Sequence, residues 1–218
     1  MRFGTIDTTY AVDLATRSAE SDGPIYMVNF MKYKEVAEYR DPADAEDGLS
    51  GLEADDKYSP VEVLERIGAQ VAFHGAVVAQ SSVGEWDRMG IVKYPTRRSF
   101  IDMQNRPDFK KKYVHKEAGM DYTIVMGTLP RGSHSPLRSG GFVTFRITSD
   151  ELGGSGSESV ARLGVEGTIV GDGRTWVDLT MSWSDEIPEV PTYDRGGSEI
   201  VVVARAEIDR MGQLLSEP

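Results

Sequence analysis

The stretch between residues 67 and 128 constrains the fold more than any other part of the chain. Its strand-like runs lie at residues 70–81, 89–94 and 121–126. Helical periodicity fills the gap between the last two runs, after a break at Pro95-Thr96. An apolar run, Ile25 to Tyr33, and a helix that starts at Ser59-Pro60 precede this stretch. The predicted order is therefore strand, helix, strand, strand, helix, strand.

This βαββαβ order is that of the ferredoxin-like split unit, so we predict an α+β fold for residues 1–130. Residues 128–141 are rich in Pro, Gly and Ser, which is typical of a linker, and we place its core at residues 131–140. Residues 141–218 form the second predicted domain.

The second domain is predicted to follow the order strand, short helix, two strands, strand, helix. The short helix is expected at residues 157–163 and the terminal helix at residues 206–215. Gly171-Asp172-Gly173 is predicted to be the three-residue turn of a hairpin. This order predicts a second, reduced ferredoxin-like unit.

Charge and composition exclude several classes of protein. The 218 residues include 24 Lys and Arg against 35 Asp and Glu, a formal net charge of −11. Proteins that bind duplex nucleic acid need basic surface, so no nucleic-acid partner is expected. The chain contains no Cys, which excludes disulfides, thiolate nucleophiles and Cys-based metal sites.

No membrane association is expected from the sequence. No apolar run approaches the roughly 18 residues of a membrane-spanning helix. The N-terminal residues Met1-Arg2-Phe3-Gly4 lack the apolar core of a signal peptide. We therefore expect a cytoplasmic protein.

His74 is the candidate catalytic residue. Strict alternation along its strand places it on one face with Ala72, Ala76 and Val78, whose small side chains would leave space beside the imidazole. A histidine with a pKa near neutrality can act as a general base. The alternative is a structural histidine that forms a hydrogen bond across the barrel or at a subunit contact.

Three further residues are candidates for substrate binding. Asn29 is a polar amide in an otherwise apolar strand, so it either lines a ligand cavity or is satisfied as a structural amide. Tyr33 ends the same strand and can donate a hydrogen bond. Trp86 opens another strand, where it can contact a ligand or cover the end of a barrel.

Two charged segments have simpler explanations. Residues 34–57 are acidic and loop-like; a connection of this length often covers a site, but its carboxylates lack the EF-hand spacing, so we predict a solvated loop. The lysines in residues 110–116 could steer an anionic ligand, but a solvated helix face is the simpler prediction. Gly153-Gly154-Ser155-Gly156 lacks the ending of a phosphate loop. No metal or nucleotide cofactor is predicted.

Residues 1 to about 130 resemble a family of unknown function within the dimeric α/β-barrel superfamily. The matching segments are Pro24 to Tyr33, Ile67-Gly68-Ala69, Glu85-Trp86-Asp87, Tyr94-Pro95-Thr96-Arg97 and Arg106-Pro107-Asp108-Phe109. The resemblance implies that two ferredoxin-like sheets pair into a barrel, either in a homodimer or within an internally paired monomer. Members include cofactor-independent monooxygenases, isomerases, lactone-forming enzymes and haem-binding proteins, so the resemblance implies no single reaction.

These observations lead to two functional hypotheses. The first is an enzyme that acts on a small, largely apolar metabolite in a barrel cavity, with His74 as the base and Asn29 and Tyr33 as donors. Isomerisation, cyclisation and cofactor-independent oxygenation all fit it. The second is a non-catalytic barrel that binds a metabolite or builds an oligomer. Haem binding through His74 or His115 is a third possibility.

Overall fold

The computed structural model describes residues 4–45, 48–81, 86–132, 140–151, 160–190 and 197–216. The helices are α1 Thr8–Thr16, α2 Gly51–Tyr58, α3 Val61–Arg66, α4 Arg97–Asn105, α5 Pro107–Gly119 and α6 Met211–Ser216. The strands are β1 Thr5–Ile6, β2 Ile25–Tyr33, β3 Gln70–Gln80, β4 Arg88–Tyr94, β5 Met120–Pro130, β6 Phe142–Thr148, β7 Val160–Gly171, β8 Asp178–Ser184 and β9 Glu199–Asp209.

Eight of these strands form one closed antiparallel barrel. Their order around the barrel is β7-β5-β2-β4-β3-β9-β6-β8, and a pairing between β7 and β8 joins the two ends. The short strand β1 pairs with the end of β7 through Thr5 and Ile6. Closure of this kind leaves no open edge among the eight strands.

The predicted α+β fold of two ferredoxin-like units is wrong. Strand β3 pairs with β9, and strand β5 pairs with β7, so both halves of the chain share one continuous sheet. The prediction of a dimeric α/β-barrel is also wrong, because the eight strands close within a single chain. The order of elements along a chain predicts local neighbours, but it does not predict whether distant edge strands pair. The domain boundaries near residues 130 and 140 stay a prediction.

Apolar side chains fill the interior of the barrel. They come from all eight strands, and most are fully buried. Phe73 of β3 meets Phe145 of β6 with ring centroids 4.8 Å apart, so aromatic contacts join the two halves of the chain. At one end, Met211 and Leu214 of α6 join the same core. The Tyr26 hydroxyl and the Lys93 ammonium both donate to the Leu214 carbonyl oxygen, at 2.7 and 3.1 Å, and hold this helix in place.

Helices α1, α3, α4 and α5 pack on the outer face of the barrel and form a second core there. Outward-facing side chains of the N-terminal strands, such as Ile25 and Met27, contribute to it. A buried ion pair joins the helix layer to the C-terminal half, since Arg97 of α4 bonds to Glu166 of β7 with Nε–Oε1 at 2.9 Å. The sheet therefore lies between two cores, one inside the barrel and one under the helices.

Several local predictions differ from the structure. Within residues 34–57, a helix, α2, occupies the end of the predicted loop, and Ser50 and Glu53 form a capping box at its start. Val160 to Leu163 belong to β7 rather than to a helix, while residues 157–159 lie outside the described residues. The strand β9 continues to Asp209, so the terminal helix begins later than predicted.

The three-residue turn predicted at Gly171-Asp172-Gly173 is wrong, although β7 and β8 do pair as consecutive antiparallel strands. Strands β7 and β8 pair through Leu163 and Leu179, which leaves a longer connection between the paired segments. The linker prediction falls largely on residues 133–139, which lie outside the described residues, and Thr128 to Pro130 are part of β5.

Among the described residues, no helix combines the length and the apolar character that crossing a membrane requires.

The contact between α2 and α5 depends on two glycines, and this yields a stability prediction. A Cβ atom at Gly119 would lie 2.2 Å from the carbonyl oxygen of Gly51, so we expect Gly119→Ala to lower the free energy of unfolding by about 1–3 kcal/mol. Chemical denaturation measures the loss.

Gly141→Ala is the matched control for this substitution. None of the described atoms lies within 4 Å of a Cβ built at Gly141, so its stability should stay close to that of the wild type. Equal losses in the two variants would contradict the contact.

Candidate functional site

A cavity of about 580 Å³ lies between the outer face of the barrel and helices α2 to α5. This volume is within the roughly 300–1,000 Å³ of small-molecule sites. Its walls are largely apolar and include Val61, Leu64, Val92, Phe109, Tyr113 and Ile169. The lining residues Ile6 and Val61 are 60% and 44% exposed, so the cavity opens to solvent beside them. The cavity is on the helix side of the sheet, whereas the sequence predicted a site inside the barrel.

A glycine in the middle of the sheet creates part of this space. Gly90 pairs with His74 on one side and with Asn29 on the other, so the three residues form one row across the outer face. A Cβ atom at Gly90 would meet only the Met31 Cε among the described atoms within 4 Å, at an ordinary contact distance of 3.5 Å. Two strand spacings of about 4.8 Å separate His74 and Asn29, and the gap between them opens into the cavity.

A bulge in β3 decides which face His74 occupies. Val71 pairs with Val92 and Phe73 with Ile91, so Ala72 is an extra residue in the strand. Ala72 and Phe73 both belong to the core inside the barrel, and His74 lies on the outer face. The prediction that His74 shares a face with Ala72 is wrong because strict alternation does not allow for the extra residue.

His74 forms a pair with a carboxylate at the edge of the cavity. Its Nδ1 lies 2.9 Å from Oε2 of Glu207 in the neighbouring strand β9. The two side chains are 30% and 48% exposed. When Nδ1 donates to the carboxylate, Nε2 is the acceptor nitrogen, which is the arrangement of a histidine that acts as a base.

The other three candidate residues lie in different surroundings. Asn29 lines the cavity, and its Nδ2 is 3.5 Å from the Met27 carbonyl oxygen, which is long for a hydrogen bond. Tyr33 is buried beside the cavity without being one of its lining residues. Trp86 is buried in the barrel core, with its ring 5.4 Å from that of Phe30 and 5.2 Å from that of Tyr122. The structure therefore brings His74 and Asn29 together and separates Trp86 from them.

A buried network of charges lies on the same cavity wall, and the sequence analysis did not predict it. Arg88 Nη1 contacts Oδ2 of Asp55 at 3.2 Å and Oδ1 of Asp56 at 2.9 Å. The Tyr33 hydroxyl donates to the same Oδ2 of Asp55 at 2.5 Å. Burial raises the pKa of the Tyr33 phenol, and the Asp55 carboxylate raises it further, so the phenol stays a donor. Tyr33 thus positions Asp55.

Lys116 is a second cation in the cavity lining. Its Nζ lies 5.2 Å from the centre of the Tyr58 ring. Burial lowers the pKa of its ammonium group, and the negative charge of Asp55 acts in the opposite direction. The sequence carried a signal for this placement, since Phe109, Tyr113 and Lys116 follow the spacing of one helix face.

In the part of the chain that the structure describes, no group of three or more His, Asp or Glu side chains is placed to hold a metal ion.

Comparisons with known proteins give structural neighbours and no family. No family model matches the chain, and no curated protein matches it at a significant level. RPA0582, a protein of unknown function from Rhodopseudomonas palustris, is 21% identical, with a TM-score of 0.50 over 61% of this chain and 100% of that chain. Methylated RPA0582 is 25% identical, with a TM-score of 0.48 over 59% and 96%. A candidate monooxygenase from Lactobacillus acidophilus NCFM is 10% identical, with a TM-score of 0.46 over 85% and 95%.

These similarities support a shared fold with RPA0582 over part of the chain, at low identity. They assign no reaction and no site residue to this protein. The Glu85 position of the motif Glu85-Trp86-Asp87 lies outside the described residues.

The network around Arg88 yields the second prediction. Arg88→Met leaves the Asp55 carboxylate buried without its cation, so we expect the free energy of unfolding to fall by about 3–5 kcal/mol. Urea denaturation at neutral pH measures the change.

Asp56→Asn is the control, because the Asp56 side chain is 59% exposed and its ion pair is screened by water. Its expected loss is at most about 1 kcal/mol. A similar loss in both variants would show that the buried pair with Asp55 is not the stabilising contact.

Proposed function

We propose that the protein is an enzyme that acts on a small, largely apolar organic molecule in the cavity under the helices, with His74 as the general base. The observation that carries this proposal is the pair of His74 and Glu207 beside the space above Gly90. The carboxylate orients the imidazole, and the apolar walls limit the water that competes for it.

Asn29 has a supporting role in the proposed reaction. It lies across Gly90 from His74 in the same row, so a ligand above Gly90 lies between a base and an amide. An amide can donate to an oxygen on which negative charge develops when a proton is removed. Tyr33 contributes indirectly, since its hydroxyl holds Asp55.

The proposed chemistry is proton transfer that leads to isomerisation, cyclisation or cofactor-independent oxygenation. Each begins when a base removes a proton from the substrate, and the residues in the cavity favour none of the three. We also propose that residues 1 to about 130 are related to the family of unknown function within the dimeric α/β-barrel superfamily. This relation is supported by the sequence segments they share and by the fold similarity to RPA0582. The expected partner is the small-molecule ligand, and a homodimer or a monomer both stay compatible with the barrel.

A non-catalytic binding protein is the second candidate, and the exposure of the histidine pair favours it. Glu207 is about half exposed, and an exposed carboxylate orients and polarises an imidazole less strongly than a buried one. Binding in the cavity is common to both candidates, so one test addresses the cavity and another addresses His74.

The first test fills the cavity. We expect Gly90→Leu to occupy the space between His74 and Asn29 and to abolish ligand binding, whereas Gly90→Ala retains most of it. A metabolite library screened by thermal shift identifies ligands, since a ligand at a hundredfold excess over its Kd adds about 2.7 kcal/mol of stability. Hits that stabilise Gly90→Leu as much as the wild type would place the ligand elsewhere.

The second test removes the base. With a converted substrate from that screen, His74→Gln should lower kcat by about 10²–10⁴-fold while Kd changes little, because general-base catalysis contributes that much. Glu207→Gln should cause a smaller loss, since it weakens only the orientation of the imidazole. Unchanged turnover in His74→Gln would reject the base, and binding without any turnover in the wild type would favour the non-catalytic candidate.

A further inference from the structure

Arg88 and Lys116 are the Arg and Lys side chains among the described lining residues of the cavity, and they have different surroundings. Arg88 is held by Asp55 and Asp56, both within 3.2 Å. Lys116 forms no ion pair within 4 Å with any carboxylate of the described residues. Its ammonium group makes a cation–π contact with the Tyr58 ring. The cavity therefore contains one cation whose charge is not matched by a direct contact.

Asp55 does not provide that contact. Its Oδ2 accepts from Arg88 and the Tyr33 hydroxyl, and its Oδ1 is buried without a hydrogen-bond partner among the described residues. Asp55 and Arg88 largely cancel each other's charge as a buried pair. Asp56 is the extra carboxylate of the network, but its side chain is mostly exposed, so water screens its charge. The half-buried ammonium group of Lys116 therefore carries a positive charge that no carboxylate of the described residues contacts directly.

The surroundings of Lys116 make this charge costly. The ammonium is on the same helix face as Phe109 and Tyr113, and burial lowers its pKa. A cation in an apolar site is stabilised when an anion contacts it, because the pair replaces the hydration that each ion has lost. A bound anion would supply the partner that the described residues do not.

We propose that the ligand of this cavity is an amphipathic acid whose carboxylate binds the ammonium group of Lys116. The apolar body of the ligand then lies along the apolar walls towards Gly90 and His74. This inference rests on the proposed function, since it names the chemical class of the molecule that the cavity takes.

The cavity fits a singly charged group better than a phosphate. Phosphates are bound by Arg forks or by several backbone N–H groups at once. The charge of Arg88 is already matched by Asp55 and Asp56 through Nη1, although its buried Nε has no hydrogen-bond partner among the described residues. Lys116 offers one point charge. A carboxylate matches that single charge.

Matched pairs of acids and amides test the inference without knowledge of the natural ligand. Phenylacetate and naphthylacetate are compared with phenylacetamide and naphthylacetamide, which have the same shape and no charge. Isothermal titration calorimetry should show at least about tenfold tighter binding of each acid, since hydrogen bonds to charged groups are about twice as strong as neutral ones. Lys116→Met should remove this preference.

Lys110→Met is the matched control, because Lys110 lies on the same helix with its side chain exposed to solvent. It should keep the preference for the acids. Lys116→Gln, which retains a polar side chain, covers the case in which Lys116→Met does not fold, and it should also lose the preference.

The outcomes separate this inference from the proposed function. Equal binding of acid and amide to the wild type, with both lost in Gly90→Leu, would contradict the proposed role of the ligand's carboxylate. The same result would support the cavity as a binding site. A preference for the acids that survives in Lys116→Met and Lys116→Gln would overturn the role of Lys116. If neither an acid nor an amide binds, the cavity does not take small apolar molecules, and both proposals fail.

Discussion

The pairing of β3 with β9 and of β5 with β7 is the constraint on which the rest of the structure depends. It joins the two halves of the chain into one closed sheet. Closure brings large side chains from different strands into contact, and these side chains form the core inside the barrel. Helices α1, α3, α4 and α5 pack on the outer face, so the candidate site lies between the helix layer and the sheet.

The two faces of this sheet have different surroundings. The inward side chains of β2 to β5, such as Phe30 and Met89, are fully buried and belong to the core. The outward side chains of the same strands include Asn29, His74 and Arg88, and they face the cavity. Neighbouring positions along a strand therefore face either the packed interior or the cavity.

Local patterns allowed much of the secondary structure to be predicted. The strand from Ile25 to Tyr33 has the predicted bounds, and α4 begins directly after the predicted break at Pro95-Thr96, with Thr96 as its N-cap. The closure of the barrel was not predictable from such patterns, because it depends on contacts between residues far apart in sequence, such as Ala76 and Arg205. Helix α2 was missed although Ser50 and Glu53 carry its capping signal, since the acidic composition around it favoured a loop.

The site was predictable only in part. His74 and Asn29 were identifiable as polar exceptions in apolar strands, and both line the cavity. The group formed by Asp55, Arg88 and Lys116 was not, because a helix, a strand and another helix contribute one residue each. These three residues are close together only in the folded structure, and in the sequence each one resembles an ordinary surface charge.

The extra residue at Ala72 has a consequence for evolutionary comparison. A relative whose strand lacks this insertion would present, at the aligned position, a side chain that points to the opposite side of the barrel wall. Residue-by-residue alignment would then equate a buried packing position with one that faces the cavity. An alignment that compares His74 with a residue of a relative must therefore first establish which face of the strand each residue occupies.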